Sequence, residues 1–178
     1  MKKQRVLFGL TFMLFCFVNS FAQYKQELKT EKDPFTNEKV VSANYINKYT
    51  SGKMVLLENK SGKTKFGFEW SYPGSFNTLI EKGAEIMLKL ADGEVLKLTT
   101  TEDARPKLTA GIGGVFTAYM FEMEIEKVTL NKLSLQKIIM LRVPDLKAGG
   151  SDLDKKMYWG KVYFKAIFKG AKYLMKNI

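Results

Sequence analysis

Between residue 24 and about residue 143, apolar side chains recur at every second position in short runs separated by turn-forming residues. This is the pattern of antiparallel strands that bury one face. Phe66, Phe68 and Trp70 alternate with Lys65, Gly67 and Glu69, and Ser51-Gly52-Lys53 and Ser61-Gly62-Lys63 read as turns ahead of strand-like runs. The segment 86–98 allows a register to be set. A three-residue loop, Ala91-Asp92-Gly93 with Gly93 left-handed, pairs Leu88 with Leu96 and Ile86 with Leu98 on one face, leaving Met87 and Lys97 on the other. A two-residue loop would set Leu88 against Lys97 and mix the faces. Further strands are expected at 39–46, 115–127 and 137–143, with Thr129 capping a single helical turn through Leu130, Leu133 and Leu135.

The period changes near residue 154. From there to residue 176 there is no proline, and Trp159, Val162, Tyr163, Ala166, Ile167, Phe168, Ala171 and Leu174 recur at helical spacing. The spacing predicts an amphipathic helix over about 154–176, capped by Ser151 or Asp152. No Ser/Pro/Gly-rich linker interrupts residues 23–178, so one domain is expected. The expected fold class is mainly β, a β-rich α+β arrangement in which an antiparallel sandwich or roll is closed by the C-terminal helix.

The N-terminus has a different character. Lys2, Lys3 and Arg5 precede an apolar run over 6–18, and Ser20-Phe21-Ala22 places small residues where a signal peptidase reads, so residues 1–22 are expected to be a cleaved export signal. Cleavage there removes Cys16, the only cysteine, and leaves no thiol for a disulfide, a metal site or a nucleophile. The Lys-rich start ending in Phe21-Ala22-Gln23, followed by a β-rich body in which Lys132-Leu133-Ser134 leads through Ile138 to Arg142, resembles uncharacterised exported proteins of the Bacteroidota over roughly half the chain. That resemblance implies a location in the periplasm or cell envelope, or outside the cell. It brings no activity with it.

Charge then singles out the C-terminus. The chain has 29 basic and 18 acidic residues, a net +11, and without residues 1–22 the balance is 26 to 18, or +8. Residues 154–178 hold seven lysines against Asp154, which is +6. Lys161, Lys165, Lys169, Lys172 and Lys176 follow steps that keep them on one helical stripe. One reading is a solvated face on a helix packed against the sheet. The other is contact with anionic phospholipid, lipopolysaccharide or another acidic polymer, with aromatic residues at the interface. Nucleic acid is not expected as a partner, because export separates the chain from it.

The absence of histidine narrows the chemistry further. It excludes Ser-His-Asp and Cys-His catalysis, histidine-bearing zinc sites and imidazole switches. Ser134-Leu135-Gln136-Lys137 matches the S-x-x-K spacing of penicillin-recognising serine enzymes, without their S-D-N or K-T-G partners, and reads as a turn before a strand. Glu122, Glu124 and Glu126 would share a strand face at about 6.6–6.8 Å intervals, close to the carboxylate separation of inverting glycosidases. A solvated acidic row opposite lysines accounts for them more simply. Residues 33–38 form a turn without the alternating acids of a calcium loop. Trp70, Tyr72 and Trp159 are candidates to stack on a ligand, although core anchoring with a following turn accounts for Trp70 more simply. No catalytic residue, metal or cofactor is expected. The reading is an exported, non-catalytic binding or interaction module whose partner is an envelope protein, lipid or glycan. Its alternatives are peripheral attachment to an anionic surface and a carboxylate-based glycan hydrolase.

Overall fold

The computed structural model describes residues 24–47, 53–111, 114–146, 152–156 and 160–178; residues 1–22, Trp159, and Ser51 and Gly52 of the first turn signal lie outside them. The described elements are β1 (Tyr24–Lys32), β2 (Lys39–Asn47), β3 (Lys53–Lys60), β4 (Lys63–Pro73), β5 (Glu85–Leu90), β6 (Val95–Thr99), β7 (Lys107–Gly111), β8 (Gly114–Ile125), α1 (Lys127–Leu135), β9 (Ile138–Pro144), β10 (Asp152–Lys156) and α2 (Gly160–Asn177). They form a mainly β protein with two antiparallel sheets, ordered β1-β2-β3-β4-β8-β7 and β10-β9-β5-β6.

Alternation decides which face each strand buries. Phe66, Phe68 and Tyr72 of β4 and Tyr119, Phe121 and Met123 of β8 point inward from the large sheet, where they meet Ile86, Leu88, Leu98 and Leu141 of the small one. Tyr72 Oη donates to the Pro144 carbonyl of β9 at 2.6 Å, and a bridge between Thr100 and Met123 joins the end of β6 to β8. The other half of the large sheet's inner face, over β1 to β3, is covered by α2, with α1 packed against it. The β5–β6 hairpin has the expected register: Leu88 pairs with Leu96 and Ile86 with Leu98, while Leu90 N–H donates to the Glu94 carbonyl around a loop in which Gly93 has φ 97°. Ser61-Gly62 is the two-residue turn between β3 and β4, both residues at positive φ.

Three expectations need correction. The C-terminal helix begins at Gly160, because residues 154–156 belong to β10, whose backbone pairs with β9 from Asp152↔Pro144 to Lys156↔Met140. Asp152 is therefore a strand residue and not a cap. Thr129 lies inside α1, whose N-cap is Glu126 without a side-chain bond; Leu130 and Leu133 are buried, but Leu135, five positions after Leu130, turns outward and is 66% exposed. Glu126 consequently leaves the acidic row, since β8 ends at Ile125.

Candidate functional site

Helix α2 carries its two characters on separate faces. Phe164, Ala166, Ile167, Ala171 and Leu174 are buried in the core, a period of three to four residues that lays one stripe on β1 to β3. Each large apolar side chain buried there contributes about 1.5–3 kcal/mol. Gly170 faces the same way, and a Cβ on it would stand 2.9 Å from Leu57 Cδ1 and 3.1 Å from Ala43 Cβ. The glycine lets the helix approach the sheet closely. Tyr163 stands edge-on to Tyr45 with ring centroids 6.2 Å apart, and its hydroxyl donates to Met54 Sδ at 3.7 Å.

The direction of α2 follows from its ties to the sheet. Gln26 Nε2 donates to the Ala166 carbonyl, Thr30 shares a hydrogen bond with the Tyr173 hydroxyl, and the Lys39 ammonium donates to the Asn177 carbonyl. The helix therefore runs alongside β1 in the same sense and ends beside the β1–β2 turn. Its outer face is cationic: Lys165, Lys169, Lys172 and Lys176 are all exposed, with Lys172 Nζ 4.4 Å above the Phe168 ring. The side chain of Lys161, first of the expected stripe, lies outside the described part of the molecule. Among the described residues, no carboxylate comes within ion-pair distance of these four lysines.

Several lysines elsewhere are paired with carboxylates. On the outer face of the large sheet Lys65 lies 2.5 Å from Glu122 and 3.4 Å from Glu102, Lys63 lies 3.8 Å from Glu124, and Lys25 and Lys29 flank Glu27. Glu122 and Glu124 thus face lysines of the neighbouring strand, as the alternation implies, and Glu122 holds the Lys65 ammonium's pKa above its ordinary value.

The stacking candidates separate. Tyr72 is 3% exposed, its ring edge-on to Tyr119 and its hydroxyl committed to Pro144, so it offers no face to a ligand. Burial pushes that hydroxyl's pKa well above the ordinary tyrosine value. Trp70, between Phe68 and Tyr72 in the same inward row, is packed against the core, which favours anchoring over ligand stacking. Both follow from strand parity: every second residue from Phe66 points inward, and Trp70 and Tyr72 continue that series.

One end of the molecule holds features that the reading of residues passed over. A cleft of about 380 Å³ opens between the start of β2, the β3–β4 turn, the first residue of α1 and the end of α2. Lys39 and Lys127 line it with Glu38, Val41, Asn59 and Ser61. Beside it the turn at 33–38 presents Phe35, whose side chain is 96% exposed. The sequence signal was Asp33-Pro34-Phe35-Thr36-Asn37, in which an aspartate that bonds the amides two and three residues on fixes the turn and leaves residue 35 at its crest.

No family model matches the chain, and no curated protein or solved structure is significantly similar to it.

Proposed function

We propose that the chain is an exported, non-catalytic binding module of the cell envelope that docks on an anionic surface through the lysine face of α2. The observation carrying this reading is the exposed row of Lys165, Lys169, Lys172 and Lys176, with no carboxylate partner among the described residues, on a helix whose Phe164, Ile167, Ala171 and Leu174 are buried in the core. The burial of that apolar face argues against a helix that sinks into lipid and leaves attraction to phosphates as its mode of contact. The export signal read in residues 1–22, and the resemblance to exported Bacteroidota proteins, favour envelope phospholipids and lipopolysaccharide as that surface. A glycan hydrolase draws no support from the acidic row, because Glu122 and Glu124 stand on one strand and are each paired with a lysine.

Co-sedimentation tests the reading directly. The chain from Gln23 onward, which holds every described element, should bind vesicles of mixed phosphatidylglycerol and phosphatidylcholine at low salt, release them as salt rises, and ignore pure phosphatidylcholine. Equal binding to both vesicle types would contradict it.

A further inference from the structure

We propose that the turn at 33–38 is a membrane-contacting tip and that Phe35 inserts into the interfacial layer of an anionic bilayer. The inference rests on the anionic-surface reading of α2 and adds a second, apolar contact to it.

The first argument is the state of the ring itself. Phe35 is 96% exposed, although most of the described large apolar residues are covered at least in part. Scattered apolar residues on a surface need no explanation, but this one is held out by construction. The Asp33 carboxylate accepts the Phe35 amide at 2.9 Å, the Thr36 amide at 3.1 Å and the Lys60 ammonium at 2.6 Å. The Asp33 amide donates to the Glu38 carbonyl, the Asn37 amide returns to the Asp33 carbonyl, and Asn37 adopts φ 58° to close the turn. The Lys60 bond, followed by the two amide bonds, holds the Asp33 carboxyl well below the usual carboxylate range, so the brace persists at neutral pH. A turn fixed in this way loses little conformational freedom when its tip enters another phase.

The second argument is placement. Because α2 runs alongside β1, the C-terminal end of its lysine row arrives next to this turn. Lys39 and Lys127 line the adjoining cleft, Val128 and Ile178 are exposed at the same end, and Glu38 is the acid on the cleft wall. An apolar tip beside ammonium groups fits a bilayer, where the ring enters the acyl boundary while the lysines meet lipid phosphates. A purely anionic polymer satisfies the lysines and offers nothing to the ring.

A fluorophore sensitive to polarity tests this, attached through Phe35→Cys in the chain from Gln23 onward, which has no other thiol. The same label at Leu108→Cys, exposed on β7, serves as the control. With phosphatidylglycerol-containing vesicles the label at position 35 should shift to the blue and resist an aqueous quencher, and that at 108 should do neither. Phe35→Ala, which removes no internal contact, should weaken vesicle partitioning on the order of tenfold. If the unlabelled chain binds these vesicles in a salt-dependent way, but the label at 35 stays quenchable and Phe35→Ala binds as tightly as the parent, the tip proposal is overturned and the reading of α2 survives. If the unlabelled chain does not bind at all, both fall.

Discussion

At the scale of single residues, the carboxyl groups of Glu69 and Asp33 have pKa values shifted in opposite senses for opposite reasons. Glu69, on the outward face of β4, has its pKa raised by burial, which the charge on Lys107 only partly offsets. Its folded value lies above its unfolded one, so its ionisation destabilises the native state, fully at neutral pH and not at all once pH falls below the unfolded value of about 4.3. Glu69→Gln should therefore melt at a higher temperature than the parent at pH 7, with the difference disappearing near pH 3. Asp33 is the reverse case. Its depressed pKa contributes stability above its unfolded value of about 3.9, and that contribution is lost as acidification approaches the folded value. Asp33→Asn should melt lower than the parent at pH 7, and the gap should narrow below pH 4. Thermal melts followed by circular dichroism across that range check both signs. The turn at 33–38 was legible in the sequence; that it lifts Phe35 clear of all neighbours was not, because exposure depends on the absence of packing from distant elements.

Among the elements, α2 depends on Gly170 for its distance from the sheet. Replacing it with alanine gains about 1 kcal/mol of helix propensity but forces a methyl into contacts of 2.9 Å and 3.1 Å with Leu57 and Ala43, both buried. The net expectation for Gly170→Ala is a loss of about 1–2 kcal/mol in chemical denaturation; unchanged or raised stability would show that the helix can ride outward freely. Register in the β5–β6 hairpin was readable because one slip exchanges a core leucine for Lys97, a penalty written into the sequence. The start of α2 was not readable. Residues 154–156 fit a helical period, yet their backbone completes the edge of β9, and edge pairing depends on hydrogen-bonding groups that every residue carries. The same limit applies at α1, where β8 ends at Ile125 and the helix begins at Lys127, ahead of the threonine that looked like its cap.

For the whole molecule, the fold class followed from the alternation of side chains, whereas the assembly of the candidate site did not. Gln26 and Ala166 stand 140 positions apart in the chain, and only the tertiary path of α2 along β1 brings the lysine row to the same end as Phe35, Lys39 and Lys127. The lysine stripe itself was visible as a spacing; its lack of carboxylate partners among the described residues is a property of the packed surface. If α2 is the docking surface proposed above, location, and not total charge, makes this face bind. Two charge-matched variants separate these: Lys165, Lys169, Lys172 and Lys176 replaced together by glutamine, and Lys25, Lys29, Lys82 and Lys97 replaced likewise on other surfaces. Their partitioning onto phosphatidylglycerol-containing vesicles at low salt is the deciding measurement. At about 1 kcal/mol per lysine near an anionic surface, the helix variant should bind on the order of a hundredfold or more weaker than the parent, and the control should stay within a few-fold of it. Equal losses in both variants would contradict the assignment of the docking surface to α2.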